Sequence, residues 1–381
     1  MKIMFDAAGD LAGCKRMALA LLAEPGVQGL MILGCDANGW SADAAAPILK
    51  GFGKPVFGGI FPKIIHDQRA YDVGCLIIGL PCMPDVHVVH GLSDPDVDYV
   101  TPLSGVADAW TGDTEGATGS LIVFVDGLSK RISALVEALF FSFGLERNFI
   151  GGGAGSLSFT QRPCLITPDG LVQDAAVMAR LALPSGVGVS HGWQSISDSM
   201  KVTESERNVI RSLDWRPAFS VYRELVERHS GRSFGDNAFF DLAKGYPFGI
   251  NKLGGEMIVR DPLSTDGAEG LVCVGEVPRG SFVHLLNGTT ESLIAAATNA
   301  RVLADESALP RSAMQHDVTF FVDCISRALF LGDRLADELK TAAGNSPMFG
   351  VMTLGEIANN GQDYLEFYNK TAVVARFGNV L

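Results

Sequence analysis

The stretch Phe149-Ile-Gly-Gly-Gly-Ala-Gly-Ser156 follows a helical run and opens a new apolar strand. Glycine has no Cβ, so a segment rich in it can turn tightly and come close to another strand or to a ligand. Upstream of it stand an apolar strand at residues 121–125, the strand-end residue Asp126 and a helix with one apolar face. The stretch is therefore predicted to begin the second strand of a strand–helix–strand unit.

The same order of elements occurs three times along the chain. Apolar strands at residues 29–33, 121–125 and 318–322 are each followed by a helix and then by a strand that begins with an aromatic–glycine pattern. The aspartates that end the three first strands are Asp36, Asp126 and Asp323. These patterns predict an α/β (mixed α+β) fold, with repeated strand–helix–strand–strand units in mixed sheets flanked by helices.

The segments between these units differ in character. Residues 80–119 are rich in Pro, Asp and Gly and are predicted to form a long irregular surface segment. The segment between the second and third units suggests short antiparallel strands, with a turn at Asp214-Trp-Arg-Pro217 that leads into a helix. This change of pattern predicts two domains, 1–214 and 215–381.

Length and composition exclude several classes of protein. A chain of 381 residues with 47% hydrophobic and 19% charged residues is typical of two or three compact globular units. A net charge of −13 without a Lys/Arg-rich run disfavours nucleic-acid binding. The amino terminus reaches Asp6 at once and the longest apolar run carries Glu137, so neither secretion nor membrane insertion is expected. We expect a cytoplasmic protein whose seven scattered cysteines are reduced.

The glycines Gly151, Gly152 and Gly153 invite comparison with dinucleotide-binding loops. Those loops need a strand before the glycines and a helix after them, so that a pyrophosphate lies on the helix N-terminus. Here the order is reversed, with the helix first. The cluster is therefore predicted to serve close packing between strands, with a ligand beside it rather than on it.

Gly188-Val189-Ser190-His191-Gly192 matches the G-x-S-x-G pattern of hydrolase nucleophile elbows. Such an elbow requires a helix directly after the serine, and the residues after Ser190 lack a helical apolar period. A chance match is the favoured interpretation, and a serine hydrolase that uses Ser190 stays as an alternative.

The histidines allow two further interpretations. His87 and His90 could hold zinc together only on a helix, so we interpret them as solvated loop residues. A lone histidine such as His191 is usually a partly buried structural residue. A haem iron, however, needs only one such imidazole.

The strand-end aspartates and two arginines are further candidates. Asp36, Asp126 and Asp323 either cap the following helices, the favoured interpretation, or line a ligand cleft at the carboxyl ends of the strands. Arg260 and Arg327 could offer bidentate recognition of a carboxylate, or could form salt bridges with the many acidic residues of the chain.

Seven segments, in order over nearly the whole chain, resemble the FIST-domain family, with a FIST-N part to about Asp214 and a FIST-C part after it. They are Phe124-Val-Asp126-Gly127, Ile150-Gly-Gly-Gly-Ala-Gly155, Val202-Thr203 with Leu213-Asp-Trp-Arg-Pro-Ala218, Val259-Arg260-Asp-Pro262, Asp323-Cys-Ile-Ser-Arg327, Gly355-Glu356 and Asn369-Lys-Thr371. One departure is Gly58-Gly59-Ile60-Phe61-Pro62, where many members carry a Cys-Ser-Thr turn with Gly-Glu.

The resemblance implies a sensory module that binds a small molecule such as an amino acid or a small carboxylate. It implies an output partner such as a histidine kinase or a cyclic-dinucleotide enzyme, and some members resemble haem-binding nitric-oxide sensors. No catalytic set is predicted, and a homodimer is compatible with this role. The expected ligand-binding residues are Asp126, Gly151, Gly152, Gly153, His191, Arg260, Asp323, Cys324, Arg327, Glu356 and Asn369.

Overall fold

The computed structural model describes residues 1–111, 119–145, 147–251, 256–307, 315–359 and 364–379. The first repeated unit alternates apolar strands with helices that begin at polar caps; Asp10, for example, caps the first helix. Its elements are β1 (Lys2–Asp6), α1 (Leu11–Leu22), β2 (Gly29–Cys35), α2 (Ala42–Lys50), β3 (Val56–Phe61), β4 (Lys63–His66), β5 (Arg69–Tyr71) and β6 (Cys75–Leu80).

The segment predicted to be irregular, residues 80–119, contains two regular elements, so this prediction was wrong. They are β7 (Asp85–His90) and α3 (Val100–Thr111). Their local sequence signals are weak because Pro, Asp and Gly flank both. Tertiary packing stabilises them instead, since Leu103 of α3 is fully buried in a core cluster.

The second unit follows, with α4 burying Leu135 and Leu139. Its elements are β8 (Ser120–Asp126), α4 (Ile132–Phe143), β9 (Asn148–Ala154), β10 (Leu165–Thr167), β11 (Gly170–Val172) and β12 (Ala175–Leu181), and they lead into β13 (Ser185–Ser190).

A separate sheet of nine short strands comes next, and it has its own core around Tyr222 and Phe248. We call residues 194–287 the insert. Its elements are β14 (Gln194–Ser195), β15 (Met200–Glu206), β16 (Val209–Leu213), β17 (Arg216–Pro217), α5 (Ala218–Ser230), α6 (Phe239–Ala243), β18 (Phe248–Ile250), β19 (Ile258–Arg260), β20 (Pro262–Thr265), β21 (Leu271–Cys273) and β22 (Phe282–Asn287). Its strand pairs are all antiparallel, as the sequence predicted.

The third unit completes the described chain. Its elements are β23 (Gln315–Cys324), α8 (Ile325–Leu331), α9 (Leu335–Ala343), β24 (Met348–Thr353), β25 (Glu356–Ala358), β26 (Glu366–Tyr368) and β27 (Ala372–Asn379), and before them the long helix α7 (Thr290–Ser307) packs on β13. Within the residues described, we find no helix that is both long and apolar enough to cross a membrane.

The three units share one topology, which confirms the predicted repeat and the mixed α/β fold. In each, the strand before the helix pairs in parallel with the strand after it: β2 with β3, β8 with β9 and β23 with β24. A later strand returns antiparallel on the other side, namely β6, β12 or β27. The helix makes the parallel crossover possible.

The units are interlocked by an exchange of hairpins. The hairpin β10–β11 of the second unit extends the sheet of the first at β3, β25–β26 of the third extends the second at β9, and β4–β5 of the first extends the third at β24. The exchange runs in a closed ring, and the three six-stranded sheets share a core. Strands from the predicted domains 1–214 and 215–381 therefore pair within the same sheets.

Glycine marks one equivalent position in each unit. A Cβ added to Gly151 would lie 1.8 Å from the carbonyl oxygen of Val123 on the neighbouring parallel strand, and Gly58 and Gly350 approach their neighbours in the same way, at 1.8 and 2.0 Å. Real Cβ contacts are never that short, so a side chain is excluded there. The Gly58-Gly59 departure thus includes one of these required glycines.

Candidate functional site

The strand-end aspartates do not occupy equivalent positions and do not cap the helices that follow, so the cap interpretation was wrong. The equivalent glycines Gly58, Gly151 and Gly350 each pair with a residue of the strand before the helix. Counted from that paired residue, the aspartate lies four residues later in the first unit, three in the second and two in the third. Ser41 caps α2. The carboxylate of Asp36 pairs with Arg162, in a different unit.

Asp126 is buried and holds neighbouring loops together. One carboxylate oxygen accepts the backbone N–H of Leu128 at 3.1 Å, and the other accepts the Gln161 amide at 2.7 Å and the backbone N–H of Asp174 at 2.8 Å. These bonds satisfy the carboxylate within the protein. Asp126 therefore acts in loop packing at the end of β8.

Arg327 is fully buried at the start of α8, where its donors bind other parts of the chain. Its Nε lies 2.9 Å from Asp323 Oδ1 and a terminal nitrogen pairs with Glu338. The guanidinium also donates to the backbone carbonyls of His191 at 2.7 Å and Leu293 at 3.0 Å. These contacts match the salt-bridge interpretation of Arg327 and not direct recognition of a ligand carboxylate.

Asp323, Arg327 and Glu338, which we call the buried ion network, hold two carboxyl groups around one guanidinium. Burial, followed by the nearby charge of Glu338, holds the pKa of Asp323 well above its usual range, although Arg327 acts in the opposite direction. Both carboxyl groups retain oxygens without a hydrogen-bond partner. The raised pKa favours the protonated form of Asp323.

Glu356 is a third buried carboxyl group beside this network. It accepts a hydrogen bond from the Thr353 hydroxyl at 2.9 Å and one from the backbone N–H of Thr371 at 3.2 Å. Burial raises its pKa to about 8 despite these bonds. Cys324 lies nearby, and burial likewise raises the pKa of its thiol, so the sulfur stays protonated and unreactive.

The raised pKa of Glu356 predicts a stability that falls with rising pH. The pKa is about 8 in the folded state and about 4.3 in an unfolded chain. Folding therefore gains from the bound proton at low pH, and the gain is lost between about pH 4.5 and 8 at up to about 1.4 kcal/mol per pH unit. Glu356→Gln mimics the protonated form. Its free energy of unfolding, measured with urea at several pH values, should therefore fall less steeply with pH over this range. The exposed variant Glu204→Gln should keep the original slope, and equal slopes in all three proteins would contradict the assignment.

Lys370 is a buried cation that the sequence analysis did not single out. Its ammonium lies 3.2 Å from Asp261, donates to the carbonyl of Lys244 at 2.8 Å and sits 5.3 Å from the ring centroid of Trp193. Ser326 donates to the same carboxylate at 2.8 Å. Lys370 thus fastens the insert to the third unit. Its only sequence signal was its place inside the Asn369-Lys-Thr371 segment.

Arg260 also joins these two parts of the molecule, and Asn369 lies in the turn that Arg260 reaches. The guanidinium of Arg260 donates to the backbone carbonyls of Glu276 and Phe367, each at 2.9 Å. The amide of Asn369 donates to the carbonyl of Tyr368 at 2.9 Å, whereas its own oxygen is buried without a partner. Both residues therefore support the turn that precedes β27.

The glycines Gly151, Gly152 and Gly153 lie inside β9, between β8 and β25. An added Cβ at Gly152 or Gly153 would lie 2.5 Å from a backbone oxygen of the third unit, that of Gly355 or Leu354. Strand contacts on both sides leave no space for a side chain. This geometry matches the packing interpretation of the cluster.

His191 follows β13 and its ring is almost completely buried. Nδ1 accepts the backbone N–H of Trp193 at 2.9 Å, so the proton of the neutral ring is on Nε2. Burial, and after it the positive charge of Arg327, lowers the pKa of His191 to about 4, although the Met257 carbonyl acts the other way. At neutral pH the ring is therefore an uncharged donor through Nε2.

Two polar groups lie beside this donor, and Ser190, His191 and Glu256 together are called the His191 site. His191 Nε2 makes no hydrogen bond of ordinary geometry, although the Met257 carbonyl is close enough to raise the pKa of the ring, and it is 3.8 Å from a carboxylate oxygen of Glu256. The Ser190 hydroxyl donates to the other Glu256 oxygen at 3.2 Å and accepts from the Asn299 amide at 3.3 Å. Burial raises the pKa of Glu256, although half of its side-chain surface remains accessible to solvent. Sequence reasoning missed Glu256, which carries no local signal.

The structure does not support a nucleophile elbow at Ser190. The residues after it form no helix, and the His191 ring is held by the backbone of Trp193 rather than by the serine. Gly188 has a packing reason of its own, because an added Cβ would lie 1.9 Å from the carbonyl oxygen of Ala300 in α7. The G-x-S-x-G pattern therefore reflects the close contact between β13 and α7.

The histidines also do not fit the metal interpretations considered above. Iron ligation through Nε2 would need the ring proton on Nδ1, yet Nδ1 of His191 accepts the Trp193 N–H, so His191 does not fit a haem iron. His87 and His90 lie on β7 rather than in a loop, and residues three apart on a strand face opposite sides. In the described ranges, no group of three His, Cys, Asp or Glu residues is placed to hold a metal ion.

The predicted site residues thus separate into two groups. His191, Asp323, Cys324, Arg327 and Glu356 meet at the carboxyl ends of β23 and β24, and Arg260 and Asn369 border them. The glycines pack in the adjacent sheet and Asp126 binds the loops of its own unit.

Comparison with known protein families gives two matches. A FIST N domain matches residues 29–216 and a FIST C domain matches residues 218–359. A comparison with curated proteins finds no match to the chain. FIST domains are small-ligand sensory domains of signalling proteins. Because the two matches cover most of the sequence in one order, the chain belongs to the FIST-domain family.

Proposed function

We propose that this protein is an intracellular sensor that binds an amino acid or a small carboxylate at the His191 site. The observation that carries the proposal is the buried, uncharged Nε2 donor of His191, which lacks a partner beside Ser190 and Glu256. Unpaired buried donors are costly in folded proteins and are frequently explained by function. Membership of a sensory family supports the same role.

The chemistry of the His191 site suits this class of ligand. Nε2–H of His191 and the hydroxyl of Ser190 can donate hydrogen bonds to a carboxylate. Arg327 donates a hydrogen bond to the His191 carbonyl and so places a positive charge near the site. The buried ion network thus positions the site without contacting the ligand.

The output is proposed to pass to a separate protein in the cytoplasm, such as a histidine kinase or a cyclic-dinucleotide enzyme. Ligand binding beside β13 acts on a strand that is packed against α7 and paired with β27. A change at the His191 site therefore reaches the third unit directly.

A thermal-shift screen over the common amino acids and small carboxylates tests the proposal. A ligand at a hundred times its dissociation constant should stabilise the protein by about 2.7 kcal/mol. Ser190→Ala should reduce this shift. A matched control is Ser220→Ala, whose hydroxyl also donates to a glutamate, Glu269 at 2.7 Å, on the surface of α5. The control should retain the shift.

Two results would contradict the proposal. One is an empty screen with a well-folded protein. The other is a Soret band in protein supplied with haem, which would favour the haem-sensor alternative and identify a ligand other than His191 for the iron.

A further inference from the structure

We propose that Ser190 and His191 form a binding position for an anion, that the Glu256 carboxylate occupies this anion position when no ligand is bound, and that a ligand carboxylate displaces it. This inference rests on the proposed function and deepens it. It names the chemical group that is recognised, a carboxylate, and the side chain that leaves when the ligand arrives.

The side-chain contacts of Glu256 are those of a loosely held anion, although the backbone N–H of His191 also favours its charged form. A hydroxyl that donates to a carboxylate normally lies about 2.5–2.7 Å away, and a neutral N–H donor about 2.9 Å. Ser190 Oγ is instead 3.2 Å from Glu256, and His191 Nε2 is 3.8 Å from it. A free carboxylate, without a backbone tether, could approach both donors more closely.

The two donors are fixed, whereas Glu256 is placed to move. Ser190 and His191 are 3% and 5% exposed, and the amide of Asn299 donates to Ser190 Oγ, which leaves the hydroxyl proton to point at the carboxylate. The Glu256 side chain is half exposed, so it can turn into water, where its charge is fully hydrated.

The charge behind the donors favours an anion at this position. Arg327 donates to the His191 carbonyl at 2.7 Å. Burial lowers the pKa of His191 and raises that of Glu256, and the positive charge of Arg327 adds to the first shift and opposes the second. Glu256 shields these buried donors when no ligand is bound. A ligand must compete with this tethered carboxylate, which lowers its apparent affinity by the fraction of protein in which the position is open.

Displacement of Glu256 also connects ligand binding to a change elsewhere in the protein. Glu256 lies two residues before β19, which ends at Arg260. Arg260 in turn donates to the carbonyl of Phe367 in β26. The release of Glu256 therefore acts on a strand that joins the insert to the third unit.

Titrations with three small probes at equal ionic strength test the inference: acetate, L-alanine and ethylammonium. In Glu256→Ala we expect acetate and alanine to bind roughly fivefold or more tightly than in the wild type, because the competing carboxylate is gone. Ethylammonium should bind to neither protein. The exposed variant Glu204→Ala should match the wild type, and Ser190→Ala added to Glu256→Ala should abolish the gain.

Several results would overturn the inference. Weaker binding of alanine by Glu256→Ala would make Glu256 the partner of the ligand ammonium, and unchanged binding would show that it does not compete. If none of the probes binds to either protein while the wider screen finds another ligand, the inference fails and the proposed function stands. If the wider screen is also empty, both fail.

Discussion

Gly151→Ala is expected to abolish stable folding, although it adds a single methyl group. The new Cβ would lie 1.8 Å from the carbonyl oxygen of Val123, an atom of the β8 backbone that no rotamer change can move. The β8–β9 ladder must open to admit it, and the two strands are paired in parallel over their full length. The loss should be on the order of 5 kcal/mol, at the severe end of single substitutions. The measurement is soluble yield followed by urea unfolding.

A matched control uses another glycine of the same chain. Gly105 lies in α3, and a Cβ added there would meet no atom within 4 Å. Gly105→Ala should therefore be neutral or stabilise the protein by up to about 1 kcal/mol, because alanine favours a helix. Gly58→Ala and Gly350→Ala should repeat the effect of Gly151→Ala. A Gly151→Ala protein within about 1 kcal/mol of the wild type would refute the close-packing role.

Arg327→Met is expected to cost about 3–5 kcal/mol, because it leaves two buried carboxyl groups without their cation. It also leaves the backbone carbonyl of His191 without the donor that now reaches it at 2.7 Å. Each unpaired buried acceptor adds its own desolvation penalty. Urea unfolding at pH 7 measures the loss, and the remaining folded protein should show a weakened ligand response because His191 loses its support.

A double variant tests whether the buried carboxyl groups cause the loss of stability in Arg327→Met. Arg327→Met combined with Glu338→Leu removes a buried carboxyl group together with the cation, so it should be more stable than Arg327→Met alone. The control Arg334→Met removes an exposed arginine that pairs with Asp337, three residues later. It should change the free energy of unfolding only slightly. A double variant that is less stable than either single variant would contradict the charge argument.

Local patterns in the sequence predicted the repeated unit well. An apolar run, a helix with an apolar stripe and a glycine-bearing strand are each encoded by neighbouring residues, and the structure contains this unit three times. The same reasoning missed β7 and α3, because Pro, Asp and Gly surround them and their stability comes from β12 and α4. It also treated the three aspartates as equivalent, since composition does not reveal strand register.

The candidate site was predicted only in part. Ser190 was considered as a hydrolase nucleophile only as an alternative to a chance match, and His191 was predicted as a ligand-binding residue with haem ligation as an alternative. Glu256, which lies 66 residues beyond Ser190, had no local pattern that marked it, and Lys370 was marked only by its place in the Asn369-Lys-Thr371 segment. Contacts between such distant residues depend on how the insert docks on the third unit.

The sequence by itself determined the local structure of this protein: three strand–helix–strand units, the required glycines and the character of the insert. Hydrophobic period and turn chemistry act over a few residues, and that range suffices for these elements. Only the tertiary structure decided the ring of exchanged hairpins and the meeting of Glu256 with Ser190 and His191. Both depend on strand pairing and burial between distant segments, whose free energy is gained only after the chain has folded.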